Sequence, residues 1–294
     1  MPLQIALAFL AAIVAVRSDS SHDVFYKKVD AQAANAVASA KGRAVGPVAD
    51  VFDEQGFWFS HFSIGAKKDL EILIDTGSAD AILNPGIYEP SSGSFDTGKP
   101  FRISYATTNP DGSGTLTFDV MPFWSCRFGL AFKADKTGKL YYGTVGTELF
   151  SGALTSVQAR GEWEVAGDVS VNGRTIQRGA SIITDSGTTI IFGPTRQVRR
   201  VFDAAGVKYT EDSNGITGYY SCSSPPTIGF VFGGKTFNIL PSALAFKKDG
   251  DNCTASVHGT TNFGNNWLVG QAFFQGKYID HNIDDGTMGF ANLN

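Results

Sequence analysis

Two stretches of this sequence share one design, in which a run of apolar residues ends in an aspartate and a tight turn. The first reads E-I-L-I-D-T-G-S and the second reads S-I-I-T-D-S-G-T, with their aspartates at Asp75 and Asp185. A short apolar run is consistent with a buried strand, and glycine supplies the backbone freedom that a tight turn needs. Each strand is therefore expected to carry a carboxylate into the protein interior.

The two aspartates are predicted to form one site. Two carboxylates a few ångströms apart cannot both ionise, so the pair holds one proton, and one group acts as a base while the other acts as an acid. Such a pair can activate water and protonate a leaving amine without a covalent intermediate. The sequence therefore favours hydrolysis by Asp75 and Asp185, with no cofactor and no metal.

Residues with hydroxyl groups follow both aspartates. Those directly after each aspartate are predicted to brace the two turns, and those two positions further on are placed to donate hydrogen bonds to the carboxylates. With the intervening glycines, the predicted supporting residues are Thr76, Gly77, Ser78, Ser186, Gly187 and Thr188.

These motifs resemble those of the pepsin-like aspartic proteases, which carry D-T-G-S in the first half, D-S-G-T-T in the second and I-S-Y between them. Here the I-S-Y is Ile103 to Tyr105, and the resemblance covers about residues 50 to 294. It implies an all-β fold of two lobes with few short helices and an active-site cleft between the lobes. It also implies a monomer that acts on a peptide or protein substrate.

A third Asp-Thr-Gly, at Asp96 to Gly98, is excluded as a site. It lies in S-S-G-S-F-D-T-G-K-P, within a Ser, Gly and Pro-rich segment from Pro90 to Pro100. That composition is typical of a surface turn.

The composition agrees with a β-rich globular protein. Short apolar runs are separated by Gly, Ser, Asp and Asn, and sustained helical periodicity is rare. The net charge is −4 and no basic cluster is long enough to follow a phosphate backbone, so nucleic acid is not expected as a partner. Neither H-E-x-x-H nor G-x-S-x-G occurs, so a metalloprotease and an α/β-hydrolase lack support.

The N-terminal region predicts export. Residues 1–18 begin with an apolar stretch that is too short for a comfortable transmembrane helix, so we interpret them as a signal peptide; a buried N-terminal strand or helix is the alternative. Residues 19–48 predict a propeptide in which, by resemblance, Lys27 or Lys28 neutralises the catalytic carboxylates, and a solvated arm is the equal alternative. The predicted location is extracellular, with the vacuolar lumen second, and without stable membrane insertion.

The rest of the chain is divided into an N-terminal lobe, residues 49–165, and a C-terminal lobe, residues 166–294. In the first lobe a hairpin is predicted from Phe101 to Phe118. By resemblance it is the flap that closes over substrate, with Tyr105 as the flap tyrosine. A half-buried strand tyrosine is the alternative.

One helix is predicted in the second lobe. Its apolar residues have the spacing i, i+3, i+4 and i+7, with Pro194 in the first turn and Gly206 at the end. Those apolar residues are Val198, Val201, Phe202 and Ala205.

Further matches to the family follow. Cys222 and Cys253 occupy the places of a disulfide common in the family, which leaves Cys126 without a partner. Asn252 begins an N-x-T glycosylation sequon. The late W-L-V-G-Q segment resembles the family pattern W-x-L-G-D, with Gln271 in place of the usual aspartate. This replacement either shifts the pH range of the site or is neutral.

The first half departs from the family pattern. Only 110 positions separate Asp75 from Asp185, and Asp119 leads almost at once to Phe128, so a run that crosses behind the first catalytic loop is missing. We predict an internal deletion in the N-terminal lobe, either real or due to an incorrect gene model. The leading hypothesis is a secreted aspartic endopeptidase; the alternative is a catalytically silent relative that binds peptides or a partner protein.

Overall fold

The computed structural model of the chain describes residues 48–54, 57–64, 66–77, 89–90, 95–103, 112–118, 127–161, 163–213 and 215–294. In these ranges the protein is mostly β-structure, as predicted. The strands of the first half are β1 (Val48–Glu54), β2 (Phe57–Ile64), β3 (Lys67–Leu73), β4 (Phe95–Ile103), β5 (Gly112–Phe118), β6 (Arg127–Phe132), β7 (Thr137–Tyr142) and β8 (Thr155–Arg160).

The second half adds twelve strands and three short α-helices among the described residues. The strands are β9 (Glu164–Val171), β10 (Arg174–Thr184), β11 (Ile191–Pro194), β12 (Lys208–Asp212), β13 (Gly215–Ser221), β14 (Ile228–Phe232), β15 (Lys235–Asn238), β16 (Ala245–Asp249), β17 (Asn252–Thr260), β18 (Trp267–Val269), β19 (Lys277–Asn282) and β20 (Thr287–Asn292). The helices are α1 (Thr195–Ala205), α2 (Pro241–Leu244) and α3 (Gln271–Phe274), and a 3-10 turn spans Thr147–Leu149.

The first aspartate follows the hairpin of β2 and β3. The two strands are antiparallel, and Phe59 lies opposite Leu73. After β3 ends, the backbone N–H of Ile74 still donates to the Trp58 carbonyl at 2.8 Å. This bond extends the hairpin to the residue before Asp75, so the first aspartate is held at the end of a paired and buried strand.

The second aspartate follows β10, which lies between two partners near its end. β10 is antiparallel to β9 and parallel to β18, with Thr184 opposite Val269. The backbone N–H of Asp185 continues this ladder by donating to the Val269 carbonyl at 3.1 Å. Within the described ranges, β3 pairs with β2 alone, and no strand supports Asp75 as β18 supports Asp185. The predicted deletion stays a prediction.

The predicted flap hairpin is present as β4 and β5, which pair with each other from Phe95 opposite Phe118 to Ile103 opposite Gly112. Asp96 to Gly98 lies inside β4, so its assignment to a surface turn was wrong, and the loop predicted up to Pro100 ends before Phe95. Local composition indicated a turn, but pairing with β5 and a register shift between Asp96 and Pro100 accommodate these residues in a strand. Tyr105 lies outside the described residues.

The predicted helix is confirmed as α1, where Val198, Val201 and Phe202 are buried and Gly206 caps the end. Pro194 precedes the helix instead of lying in its first turn. α2 and α3 were not predicted because four residues are too few to show helical periodicity. In the ranges described, no helix is long and apolar enough to cross a bilayer.

The two halves of the chain share strands. β19 pairs with β6 and β20 pairs with β8, so the end of the chain returns to strands of the first half. Arg127 on β6 forms a bidentate ion pair with Asp280 on β19, with contacts of 2.8 to 3.1 Å. The predicted lobe boundary after Val165 falls inside β9. The halves are therefore joined by backbone pairing as well as by the connecting chain.

The expected disulfide between Cys222 and Cys253 is present and joins the turn after β13 to β17. Replacement of both cysteines by alanine should lower the free energy of unfolding by about 3 to 4 kcal/mol, because the 31-residue separation closes a long loop in the unfolded chain. Urea unfolding of the oxidised protein and the double variant measures this loss. A loss below about 1 kcal/mol would show that the loop contributes little constraint to the unfolded chain.

His281 on β19 is completely buried. Its ring stacks on the ring of Phe128, with 4.3 Å between the centroids, and is nearly perpendicular to the ring of Trp163, with 4.8 Å between the centroids. Neither ring nitrogen makes a well-formed hydrogen bond to a described residue, and the backbone of Ile279 only partly favours the protonated ring. Burial lowers the pKa of His281 to about 3. The folded protein therefore holds this imidazole neutral.

Stability should fall in acid because of this histidine. The unfolded chain protonates His281 near pH 6.5 and the folded protein only near pH 3, so its full contribution is present above pH 6.5 and is lost progressively as the pH falls. Between pH 7 and pH 5 the loss should be about 2 kcal/mol. His281→Phe should lose less free energy of unfolding over this interval, whereas His61→Phe, at an exposed position, should match the wild type. Equal losses in all three proteins would contradict the assignment.

Candidate active site

The two aspartate loops meet at a close crossing. A Cβ atom on Gly77 would lie 2.6 Å from Cγ and Oδ1 of Asp185, and a Cβ on Gly187 would overlap the carboxylate of Asp75. Each carboxylate therefore packs against the glycine of the opposite loop. Neither glycine has a positive φ angle, so the expected reason for these glycines was wrong. They are needed because of the close approach and not for an unusual backbone conformation.

Reciprocal hydrogen bonds join the two loops. The backbone N–H of Thr76 donates to Ser186 Oγ at 3.0 Å, and the backbone N–H of Ser186 donates to Thr76 Oγ1 at 2.9 Å. The Ser186 hydroxyl donates to the Ile74 carbonyl at 2.8 Å, and the Thr76 hydroxyl donates to the Thr184 carbonyl at 3.4 Å. Each hydroxyl thus accepts from the opposite loop and donates to the residue just before the opposite aspartate.

Donors from within each loop orient the carboxylates. The N–H of Gly77 donates to Asp75 Oδ1 at 2.9 Å, and the N–H of Gly187 donates to Asp185 Oδ1 at 2.8 Å. Thr188 Oγ1 donates to Asp185 Oδ2 at 2.5 Å. Ser78, which corresponds to Thr188 in the first motif, lies outside the described residues. Asp185 is 9% exposed and Asp75 is half-buried, so the pair lies at the edge of the interior.

A third element supports the second loop. Gln271, the first residue of α3, donates its backbone N–H to the Thr188 carbonyl at 2.7 Å and its side-chain Nε2 to the Ser186 carbonyl at 2.6 Å. The sequence identified Gln271 as a departure from the family pattern but not as a hydrogen-bond donor to the loop that carries Asp185. The available signal was a polar residue two positions after the apolar β18, since a buried polar side chain needs a hydrogen-bond partner.

The other predicted site residues have different surroundings. Asn252 is exposed at the start of β17, and Cys126 lies outside the described residues. Among the residues that the structure describes, no group of three or more His, Cys, Asp and Glu side chains is arranged to hold a metal ion. The arrangement that remains is two carboxylates on loops locked to each other, which can serve acid–base chemistry on one bound water.

The crossing should depend on the hydroxyl of Thr76. Thr76→Val keeps the shape of the side chain but removes the acceptor of the Ser186 N–H, and Thr76 is only 4% exposed. An unpaired buried N–H should lower the free energy of unfolding by about 1 to 3 kcal/mol. Thr76→Ser keeps the hydroxyl and is the matched control. Denaturant unfolding should rank Thr76→Val well below Thr76→Ser; equal stabilities would show that the bond contributes nothing.

The chain is similar to known proteins in sequence. The sequence model of the eukaryotic aspartyl protease family matches residues 121–293. An aspartic protease of Phaffia rhodozyma is 32% identical over 218 residues, which cover 69% of this chain and 52% of the relative. Secreted aspartyl protease 1 of Malassezia globosa is 26% identical over 302 residues, which cover 82% and 75% of the two chains. Pepsin A of Sus scrofa is 24% identical over 262 residues, with 76% and 66% covered.

The fold has a solved counterpart. The crystal structure of an aspartic proteinase from Irpex lacteus superposes with a TM-score of 0.68 and 13% sequence identity, and the match covers 85% of this chain and 98% of that one. At this identity the match shows the fold alone. The chain spans about half the length of the Phaffia relative. The Malassezia alignment, at 302 residues, is longer than the 294 residues of this chain and therefore contains positions at which this chain has no residue.

Proposed function

Because the chain belongs to the eukaryotic aspartyl protease family, we propose that it is an aspartic endopeptidase that hydrolyses peptide bonds with Asp75 and Asp185. The observation that carries the proposal is the packing of each carboxylate against the glycine of the opposite loop. This crossing brings the two carboxylates of separate strands to one place, where a single water molecule can contact both.

The chemistry follows from two carboxylates that share one proton. The ionised member takes a proton from the water as it attacks the scissile carbonyl, and the protonated member supplies a proton toward the leaving amine. The Gly77 and Gly187 N–H groups and the Thr188 hydroxyl keep the carboxylate planes oriented during this exchange. No covalent intermediate is needed, because water is the nucleophile.

The substrate is an extended peptide or protein segment. The hairpin of β4 and β5 is the proposed flap over the bound segment, with Tyr105 closing the site against water. Apolar side chains on either side of the cleaved bond are the proposed preference, by analogy with the family. The proposed working form is a monomer, and acidic conditions suit a pair that must keep one proton.

Export is the proposed route. Residues 1–18 are proposed as a signal peptide and residues 19–48 as a propeptide. The remaining extracellular protein is proposed to consist of two lobes, residues 49–165 and residues 166–294. A relative that is named a secreted aspartyl protease supports this location. Asn252 is a proposed glycosylation site, since it is exposed and begins an N-x-T sequon.

The proposal is tested by removing one carboxylate at a time. Asp75→Asn and Asp185→Asn should each lower kcat/KM for peptide cleavage at acidic pH by about 10³-fold or more, because an amide can neither accept nor supply the proton. Asp249→Asn, at an exposed position on β16, is the control and should cleave as the wild type does. Unchanged cleavage by Asp75→Asn, with the variant folded by circular dichroism, would sink the proposal.

The second candidate is a relative that binds peptides without cleaving them. It is favoured by the family match beginning at residue 121, after Asp75, and by the positions at which this chain lacks residues of its Malassezia relative. A correctly folded wild-type protein that binds a labelled peptide but cleaves none at any acidic pH would select this candidate. Measured turnover that disappears in both aspartate variants would reject it.

A further inference from the structure

We propose that Gln271 is a positioning residue for the catalytic aspartates, whose amide holds the second catalytic loop in the same geometry at every pH. The inference rests on the proposed function for its kinetic test and on the hydrogen bonds of the loop for its structural test. Gln271 contacts neither the substrate nor the reacting atoms in this account; it acts through the backbone of the loop.

Two hydrogen bonds from Gln271 hold the loop on both sides of Gly187. The Gln271 backbone N–H donates to the carbonyl of Thr188, and the side-chain Nε2 donates to the carbonyl of Ser186. The residue between these two carbonyls is the glycine against which Asp75 packs. A shift of the Ser186 carbonyl would therefore move the surface that seats Asp75, and with it the separation between the two carboxylates.

Burial and close packing restrict the side chain of Gln271 to this position behind the loop. It is 2% exposed, and its backbone is held at the start of α3 directly behind the loop. Gly270, the preceding residue, would bring a Cβ into the carbonyl oxygens of Thr188 and Ile190, so the chain approaches the loop as closely as its backbone allows. The start of α3 is therefore in close contact with the loop at the carbonyls of Ser186, Thr188 and Ile190.

The residue type matters because an amide donates a hydrogen bond whatever the pH. A carboxylic acid in the same place would donate to the Ser186 carbonyl only while protonated, and after ionisation it would set two negative oxygens against a carbonyl oxygen. With glutamine at this position, the geometry of the loop does not depend on the protonation state of the catalytic pair. The loop stays in place while the carboxylates change their charge.

Within the described part of the chain, no titratable side chain makes a hydrogen bond to the Ser186 carbonyl in place of the Gln271 amide. Among the described residues, β11 and α2, which pack near α3, carry no charged side chain, and none of the titratable side chains of the catalytic loop or of β19 bonds to the Gln271 amide. Those side chains are Asp185, Lys277, Tyr278, Asp280 and His281.

The kinetic test compares each variant with the wild type at the same pH. While the new carboxyl of Gln271→Glu is protonated, the kcat of this variant should lie within about twofold of the wild-type kcat. As the pH rises and the carboxyl ionises, the ratio of variant kcat to wild-type kcat should fall about tenfold or more. KM should change less, because the loop positions the catalytic carboxylates and does not hold the peptide. Gln271→Met, which cannot donate, should lower kcat about tenfold at every pH.

A matched control exists elsewhere in the chain. Gln158 also donates Nε2 to a backbone carbonyl, that of Gly286, at 2.6 Å, but it is exposed and its hydrogen-bond acceptor lies outside both aspartate loops. Gln158→Glu should therefore show a kcat ratio near one that does not vary with pH. A wild-type kcat for Gln271→Met, or a kcat ratio for Gln271→Glu that is independent of pH, would overturn the positioning role.

Thermal unfolding separates failure of this inference from failure of the proposed function. The difference in Tm between the wild type and Gln271→Glu should be small in acid and grow as the pH rises, because the buried carboxyl loses its bond on ionisation. This measurement needs no substrate, so it remains decisive if the wild type proves to cleave nothing. A Tm difference that stays constant from acidic to neutral pH would show that the side chain of Gln271 does not hold the loop through its hydrogen bond to the Ser186 carbonyl.

Discussion

The pair of hydroxyl groups on Thr76 and Ser186 determines how the two aspartate loops sit together. Each side chain accepts from the backbone of the opposite loop and donates to the carbonyl before the opposite aspartate. Because all four groups are buried, separating the loops would leave unpaired donors and acceptors without water to replace the lost bonds. The position of each carboxylate is thus defined by the loop that carries the other one.

Among the described residues, the loop of Asp185 is supported by more structural elements than the loop of Asp75. The second loop rests on β18, which runs parallel to β10, and on Gln271 of α3. The first loop is held by the β2 and β3 hairpin and by its bonds to the second loop. The seating of Asp75 therefore depends strongly on the second half of the chain, since Gly187 and Ser186 contact it directly or through Thr76.

β19 connects the halves and carries an unusual number of buried ionisable groups. Lys277 is 1% exposed, and burial lowers its pKa to about 7. Its Nζ donates to the Asn238 carbonyl at 2.7 Å and lies 4.8 Å from the centre of the Phe273 ring. Asp280 is paired with Arg127, whereas His281 lies among aromatic rings. Burial disfavours the charged forms of Lys277 and His281, and within this strand only Asp280 is paired with an opposite charge, that of Arg127.

Much of the site was predictable because it depends on local pattern. The apolar runs before Asp75 and Asp185 placed both at the ends of buried strands, and the spacing of Val198, Val201 and Phe202 predicted α1. Patterns of residue type report burial and period, which are properties of a few neighbouring residues. They could not show that Asp96 to Gly98 lies inside a strand that pairs with β5, since that depends on a strand elsewhere in the chain.

Residue patterns along the chain were enough to predict the class of fold, the two aspartates and the hydroxyl residues beside them. The folded structure was needed to explain why Gly77 and Gly187 are glycines, what Gln271 bonds to, and that β19 returns to the strands of the first half. Each of these is a contact between residues far apart in the chain. Such contacts are selected by the packing of the whole core, in which many distant surfaces must fit at once, and no local pattern encodes that fit.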